Sequence, residues 1–300
     1  MKIKTLSLII LLFLLVFGGF YTYLKTSQLE KPLFLSHYYQ KEIIDSSVDY
    51  IPIHYITNQD EGWHLVSVNS KEIPGHLITV EGDYIRHQEG VFQQHEAHLS
   101  IEGIEKDESV LHELIFTFAN GTVVEAGIGE ILLESPERSS QEEQVVHIIG
   151  GGSSNQGESF SFMNINRDAR LTDVTLQFTE ILSPALKLAW DTVSETVDPE
   201  AVDIEDIKSK GDLKKLTHIE LPVELEADER LRLNAVMDKE SMFKNDIHAI
   251  EADITGTFVT DGGEIQQNLM RINEQPYLTS KQIKELKKLR EEGRKSGEGN

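Results

Sequence analysis

The sequence predicts an all-β protein: two antiparallel β-sandwich-like, Ig-like domains that follow an N-terminal transmembrane helix and precede a short basic C-terminal helix. Three observations support this prediction. A run of twenty residues near the N-terminus is uncharged, about a dozen short apolar runs alternate with turn compositions, and a lysine-rich helical pattern is confined to the tail. Few other helical patterns interrupt the strand-like runs, which favours packed antiparallel sheets.

The uncharged run, Thr5–Leu24, predicts a membrane-spanning helix. Lys2 and Lys4 precede it and Lys25 follows it. At about 1.5 Å per residue, such a helix spans roughly 30 Å, the thickness of a bilayer core. The run is apolar on every face, and lysines on its amino side favour a cytoplasmic N-terminus. We therefore expect residues 1–25 to be a signal anchor, with the membrane as a partner through residues 5–24 and the remaining chain extracytoplasmic.

A cleaved signal peptide is the alternative for this segment. Val16 and Gly18 could serve as the pair of residues before a cleavage site, and the protein would then be secreted. The apolar run continues through Phe20 and Leu24, past that site, which favours the anchor.

Composition narrows the range of partners. The chain has no cysteine, which excludes disulfides, thiolate nucleophiles, cysteine metal sites and a lipid anchor on cysteine. Residues 26–278 carry 18 basic and 47 acidic side chains, a net charge of −29, whereas residues 279–300 carry +3. Because so acidic a body repels nucleic acid, we expect no nucleic-acid partner. Exported proteins of single-membrane bacteria commonly lack cysteine, so by association we expect this protein in the cell envelope of such a bacterium.

The chain divides at changes in composition. The predicted order is a linker or first docking segment without hydrophobic period, a first β domain, a second β domain and a tail, at residues 26–42, 43–140, 141–276 and 277–300. The polar segment 135–144 marks the boundary between the two domains. The clearest element of the first domain is a hairpin in which Asn120–Gly121 is expected to form a type I′ turn between alternating runs.

Further strands are predicted in the second domain. Val174, Leu176 and Phe178 alternate and are expected on one strand face. Two hairpins are expected, one pairing 217–225 with 230–237 and the other pairing 247–259 with 264–272. Between these strands, Pro199 suits the first turn of a short helix capped by Asp198.

The tail is predicted to be helical over Ser280–Glu292. Thr279 is the expected N-cap, and Gln282 completes a capping box. The apolar positions form only a narrow stripe: Ile283, Leu286 and Leu289. A frayed, solvated helix is the favoured interpretation, because short isolated helices are marginal. The alternative is a basic helix that lies on an acidic surface of this chain or of a partner.

The segment around Gly152 is one residue short of a phosphate-binding loop. Gly152 is followed after four residues by Gly157, Glu158 and Ser159, so that glutamate stands where such a loop has lysine. The residues after the glycines alternate like a strand rather than a helix. The stretch 150–157 is therefore interpreted as a flexible connection between antiparallel strands, and no nucleotide is expected.

Histidines on a strand-like run raise the question of a metal site. His95, Glu96 and His98 resemble the zinc-protease motif, but its two histidines are four residues apart on a helix and these are three apart. On a strand, that odd separation points the two rings to opposite faces. Solvated strand histidines are the favoured interpretation. Convergence of His87, His95 and His112 across strands remains the alternative.

Three weaker motifs are interpreted as coincidence. Ser241 and Lys244 have the Ser-x-x-Lys spacing of penicillin-binding enzymes but lack the other motifs of that site. Gly127 and Gly129 could begin a dinucleotide fingerprint, but Leu132 occupies the third glycine position, so a bulge or bend in a strand is expected. The acidic segment 198–206 lacks the spacing of a calcium loop. We therefore assign no catalytic, cofactor-binding or metal residue.

The expected function is that of a noncatalytic, membrane-anchored cell-envelope protein whose acidic β domains bind or position a partner, such as another envelope protein. Two alternatives remain. One is a regulatory or sensor subunit of a membrane complex, and the other is an exported metal-dependent hydrolase built around the histidines.

Overall fold

The computed structural model describes residues 11–19, 28–59, 62–104, 108–135, 144–154, 156–192, 214–215 and 221–297. Strands make up most of this part of the chain, which confirms the all-β class. The described strands are β1 Leu33–Phe34, β2 His37–Glu42, β3 Ser47–Asn58, β4 Leu65–Asn69, β5 Leu77–Glu89, β6 Phe92–Glu102, β7 Glu108–Phe118, β8 Val123–Glu134, β9 Val146–Ser153, β10 Glu158–Ile165, β11 Ala169–Leu176, β12 Leu186–Thr192, β13 Lys214–Lys215, β14 Val223–Leu225, β15 Arg230–Met237, β16 Ala249–Thr260 and β17 Gly263–Glu274. Helices span Thr179–Leu182, Lys239–Lys244 and Ser280–Gly297.

The N-terminal segment is described only in part. Residues 11–19 are helical, and their side chains are exposed. The rest of the predicted membrane span lies outside the described residues. Within the described ranges, no helix combines the length and the apolar character needed to cross a bilayer.

Two sheets face each other in the first half of the chain. One has the order β1-β3-β6-β5, and the other includes β2-β8-β7-β4, with β5 lying against β4. Alternate residues of both sheets point inward and form a core that includes Ile53, Leu99, Phe116 and Ile131. The arrangement supports the predicted sandwich character of this half.

Strand β2 lies in the segment predicted to be a linker. It runs parallel to β8 on one side and to β16 on the other, and so joins both halves into one sheet. Residues 37–42 are therefore not a linker, and the alternative of a docking segment describes them; a purely antiparallel fold is wrong at this strand. The pattern was hidden because β2 carries polar residues that are paired within the sheet: Lys41 contacts Glu251 at 2.5 Å, and Gln40 donates to Glu134.

The second half packs the sheet β13-β12-β15-β10-β9 against β14-β11-β16-β17, over a core that includes Leu171, Leu233 and Phe258. The predicted pairing of 247–259 with 264–272 is confirmed as the antiparallel pair of β16 and β17. The other predicted pairing is wrong, since β14 pairs with β11 while β15 pairs with β10 and β12.

The strand face predicted for residues 174–178 ends earlier than expected. Val174 and Leu176 belong to β11, but Phe178 has a φ of 62° and precedes the helix Thr179–Leu182. All three side chains are nevertheless buried, because the turn keeps Phe178 over the same core. The helix predicted at Asp198 and Pro199, like the acidic segment 198–206, lies outside the described residues.

The predicted hairpin between β7 and β8 is confirmed, but its turn type is wrong. Only Gly121 of the turn has positive φ, at 81°, and its N–H donates to the carbonyl of Phe118. The Asn120 side chain instead accepts from the N–H of Thr122. This geometry is a type I turn followed by a left-handed glycine, the usual form of a longer hairpin loop.

Gly129 marks the place where β2 meets β8. Its φ is 90°, and a Cβ built there would lie 2.2 Å from the carbonyl oxygen of His37. Only glycine combines that conformation with that approach. The expected bulge or bend is confirmed by the register shift between β7 and β8 at this point, and it brings β2 into the sheet.

The C-terminal helix is longer and better anchored than predicted. Its capping box is present: the Thr279 backbone N–H donates to the Gln282 side chain, and the Gln282 backbone N–H lies 3.4 Å from the Thr279 hydroxyl. Ile283 and Leu286 are buried in a cluster with residues from the other end of the chain, Leu29, Leu35, Ile56 and Phe92. The interpretation as a solvated helix is therefore wrong, because the narrow apolar stripe packs against this hydrophobic cluster.

The same helix also reaches an acidic group of its own chain. Arg290 donates to the carboxylate of Asp246 at 2.7 Å and to the hydroxyl of Ser36 at 3.0 Å. The alternative of a basic helix lying on an acidic surface describes this contact.

Candidate functional site

A cavity of about 860 Å³ lies between the two halves of the chain. One wall comes from β3, β5 and β6 of the first half, and the other from Ser153 and Ser154 at the end of β9 and from the helix Lys239–Lys244. The connector that joins β17 to the C-terminal helix forms its rim with residues 275–278. We call this space the central cavity.

Glu96 is the most deeply buried charge in the cavity wall. Its side chain is 0% exposed, and it accepts hydrogen bonds from Arg86 Nε at 2.9 Å, an Arg86 terminal nitrogen at 2.6 Å and His98 Nε2 at 2.6 Å. Burial raises the pKa of Glu96, but these hydrogen bonds outweigh it and lower the pKa to about 2. The carboxylate is therefore ionised and fully occupied.

Tyr50 adds a fourth donor through a strained backbone. It has a φ of 60°, unusual for a tyrosine, at a bulge between Val48 and Ile51. The conformation places its hydroxyl 3.2 Å from Glu96 and its ring 4.4 Å from the ring of His98. The strained backbone of Tyr50 thus gives the Glu96 carboxylate its fourth hydrogen-bond donor.

Two buried histidines lie behind this carboxylate: His54 is next to Glu96, and His37 is next to His54. His54 lies opposite Glu96 in the register of β3 and β6, with its Nδ1 3.9 Å from the carboxylate. His37 accepts the His54 backbone N–H at Nε2 and donates from Nδ1 to the Ile128 carbonyl, at 2.8 and 3.0 Å. Burial lowers the pKa of His54 to about 4 and that of His37 well below its usual value, so both rings are neutral.

A third buried histidine, His248, faces the cavity from the second half. Its Nδ1 lies 3.2 Å from the backbone N–H of Ser36, which donates to it. The ring proton therefore sits on Nε2. Burial lowers the pKa of His248 to about 4, although the nearby Asp246 opposes that shift.

Glu274 closes the cavity floor from the end of β17. It is 3% exposed, and its Oε2 pairs with the Nζ of Lys239. Burial raises the pKa of Glu274, and the lysine opposes this effect. Its Oε1 has no hydrogen-bond partner within the described part of the chain.

Of the histidines singled out in the sequence, His87 and His95 both line the central cavity, whereas His112 does not. His95 contacts Thr57 at 3.0 Å and stacks on Tyr55, while His98 contacts Glu96, so the predicted opposite faces are confirmed. The interpretation of His95 as a solvated histidine is wrong, since its ring is buried against aromatic neighbours. The ring of His87 contacts the ring of Tyr277, with centroids 4.5 Å apart and the planes tilted by 39°.

His112 lies elsewhere, on β7, beside Glu72. Among the residues that the structure describes, no three histidine or carboxylate side chains are grouped in a way that could hold a metal ion.

The other motifs are structural. Lys244 pairs with Glu240 and Ser241 donates to the Pro184 carbonyl, so they do not form a nucleophile and base. Gly152 belongs to β9 and pairs with Phe160 of β10, so the connection after it is shorter than predicted. Glu158 begins β10 with its side chain buried, and no helix follows it.

Sequence reasoning missed His37, His54, His248 and Glu274 as members of a site. One signal was present for His54, which alternates with apolar residues in a run that pairs with the run containing Glu96. For the others no local signal exists, because each is held by a partner distant in the chain: Ile128 for His37, Ser36 for His248 and Lys239 for Glu274.

Comparison with known proteins assigns no family. No family model and no curated protein matches the chain. Solved structures that resemble it include a protein of unknown function from Porphyromonas gingivalis W83, with 13% identity, a TM-score of 0.22 and coverage of 81% of this chain and 94% of that one. The collagen adhesin CNA from S. aureus has 11% identity and a TM-score of 0.21, with 83% and 92% covered.

The secreted serine protease VesC from Vibrio cholerae has 10% identity and a TM-score of 0.22, and the match spans 67% of this chain but only 44% of the protease. TM-scores of this size assign neither a family nor an activity to the chain.

Proposed function

We propose that the protein is a noncatalytic binding protein, anchored in the membrane by residues 5–24, whose extracytoplasmic β domains hold a partner at the central cavity. The observation that supports this proposal is the cavity itself, which lies between the two halves and combines open volume with buried polar groups. Pockets of this size between structural units are the usual place for ligand binding.

The chemical state of three groups of the wall, Glu96, His54 and His248, favours binding over proton transfer. A general acid or base works best with a pKa near the working pH and with a free proton-transfer atom. Glu96 is instead held ionised by Arg86 and His98. His54 and His248 are neutral, with pKa values of about 4. These groups suit fixed recognition of a partner.

The finer architecture belongs to the same proposal. We take residues 43–140 and 141–276 as two Ig-like sandwiches that share β2, an arrangement that holds the cavity walls in a fixed relation. The strongly acidic body would keep such a module soluble and away from anionic surfaces at the envelope.

The partner can be tested by site-specific photocrosslinking in intact cells. A photoreactive residue in place of Gln275, on the cavity rim, should capture a recurrent species. The same residue in place of the exposed Val123, on β8, serves as the control position. Capture at neither position, or equal capture at both, would contradict a partner at this cavity.

The membrane placement needs a separate experiment. The full chain should sediment with membranes and expose its C-terminal helix to protease added outside the cell, whereas deletion of residues 1–25 should release it from the membrane. A full chain that fractionates as a free protein would overturn the anchor.

The hydrolase alternative is tested by metal analysis of the purified full chain, with His95→Ala and His112→Ala variants. We expect no stoichiometric metal in any of the three. A bound metal that His95→Ala removes would replace the noncatalytic proposal with the hydrolase.

A further inference from the structure

We propose that the central cavity binds a neutral small molecule that carries hydroxyl or amide groups, of which a neutral saccharide unit is the representative class. The inference rests on the proposed function and specifies its ligand. Five residues of the lining have a buried polar atom without a hydrogen-bond partner in the described part of the chain. Two of these atoms, His87 Nε2 and His95 Nδ1, lie 3.5 and 3.4 Å from the carboxylates of Glu89 and Asp83. The inference is carried by the other three and by the charge balance around them.

The three atoms are His54 Nε2, His248 Nε2 and Glu274 Oε1. Their residues are 5%, 4% and 3% exposed, and within the described ranges none of the three atoms has a hydrogen-bond partner. Buried polar atoms are almost always satisfied, so an unsatisfied set that converges on one cavity indicates a ligand or ordered water there.

The hydrogen-bonding roles of two of these atoms follow from the geometry. His248 accepts the Ser36 N–H at Nδ1, so its Nε2 carries the proton and is an unpaired donor. Glu274 is held by Lys239 at Oε2, so its Oε1 presents an acceptor. A ligand must therefore accept one hydrogen bond and donate another, which hydroxyl and amide groups do.

Charge balance favours a neutral ligand. The two cations of the wall, Arg86 and Lys239, are paired with Glu96 and Glu274. An anion or a cation entering this space would lose its hydration without gaining an uncompensated opposite charge. A neutral polar molecule avoids that penalty.

The remaining lining suits the apolar face of a sugar ring. Met242, Phe243 and Ile247 line the second-half wall, and Tyr277 lies on the rim with its side chain 66% exposed. The Tyr277 ring rests on His87, with centroids 4.5 Å apart, which holds it in place at the entrance. An exposed, oriented aromatic ring offers a flat surface with a polar end. The cavity volume of about 860 Å³ falls within the usual range for small ligands.

The experiment is a binding titration on the full chain in detergent micelles, by ligand-observed NMR. The probes are glucose and N-acetylglucosamine, with glucosamine as the cationic analogue and glucuronate as the anionic analogue. We expect saturable binding of at least one neutral probe, at least tenfold tighter than binding of either charged analogue. No saturable binding of either neutral sugar, or tighter binding of a charged one, would overturn the proposal.

Variants locate the site. Tyr277→Ala and Glu274→Gln should each weaken binding of the neutral probe by about tenfold or more, whereas His112→Ala, exposed on β7, should leave it unchanged. Because Tyr277 is exposed, its variant decides the matter even if Glu274→Gln fails to fold. Binding that survives Tyr277→Ala would contradict this cavity as the site.

The same spectra separate this inference from the proposed function. Chemical conversion of a bound sugar would preserve the site but contradict the noncatalytic function. Conversely, a crosslinked partner without sugar binding would preserve the function and remove this ligand class.

Discussion

Arg86 and Glu96 form a bidentate pair in which the guanidinium is half exposed and the carboxylate is completely buried, with N···O distances of 2.9 and 2.6 Å. Because of this asymmetry, water reaches the ion pair only through the arginine. Loss of the arginine leaves the buried carboxylate with His98 and Tyr50 as its remaining hydrogen-bond donors.

Arg86→Ala should therefore destabilise the fold by roughly 1–3 kcal/mol, the usual cost of leaving a buried group under-satisfied. Urea unfolding of the purified full chain measures this change. Arg170→Ala is the matched control, since it removes an arginine from an exposed pair with Glu224 and should cause no measurable change. Equal effects of the two variants would show that Glu96 does not depend on Arg86.

The buried histidines predict a loss of stability in mild acid. His54 and His248 have folded pKa values of about 4, below the ordinary value of 6.5, and His37 is shifted in the same direction. The unfolded chain therefore binds more protons between these values. Their contribution is complete above about pH 6.5 and is lost as the pH falls toward 4, by up to about 1.4 kcal/mol per pH unit for each ring.

This prediction is checked by the free energy of unfolding measured from pH 7.5 to 5. His54→Gln should flatten the slope, whereas the exposed control His112→Gln should follow the unmodified protein. Glu96 adds a separate loss only below about pH 4.5, because its pKa is lowered to about 2. A stability that does not change between pH 7 and 5 would contradict the neutral, buried state of the three rings.

Gly129→Ala should destabilise the protein by at least about 2 kcal/mol, because alanine is strained at positive φ and its Cβ would collide with the His37 carbonyl. Gly150→Ala is the control, since nothing lies within 4 Å of a Cβ at that strand position. Chemical unfolding compares the two. A Gly129→Ala protein as stable as Gly150→Ala would mean that β2 does not approach β8 so closely.

The C-terminal helix predicts a contrast among its own apolar residues. Ile283→Ala and Leu286→Ala should each cost about 2–5 kcal/mol, because both side chains are buried in the cluster with Leu29 and Phe92. Leu289→Ala removes an exposed side chain, so its expected cost is under about 0.5 kcal/mol. Thermal or urea unfolding tests the ranking, and three equal values would return the helix to the solvated interpretation.

Local patterns were sufficient for the class of fold and for several elements. Alternation located the β16–β17 pair and the β7–β8 hairpin, and the Thr279–Gln282 capping box located the start of the last helix. These features depend on residues close together in the chain, where turn chemistry and side-chain period act directly.

Long-range partners account for what could not be predicted. Strand β2 reads as polar because the hydrogen-bond partners of its polar side chains, Glu134 and Glu251, lie far along the chain. The narrow apolar stripe of the C-terminal helix does not reveal that the helix packs against Leu29 and Phe92. The candidate site could not be predicted for the same reason, since His54, His248 and Glu274 line one cavity only when both halves are folded together.

The position of β2 has a consequence for how the chain reaches this state during synthesis. His37 is paired with Ala249, so the first strand of the large sheet must wait for more than two hundred later residues before its outer edge is covered. Until then that edge offers free backbone donors and acceptors to any extended segment nearby. Pairings of such long separation form slowly. An emerging chain of this kind would benefit from being shielded until its C-terminal strands arrive, and its two halves cannot be cut apart without baring that edge.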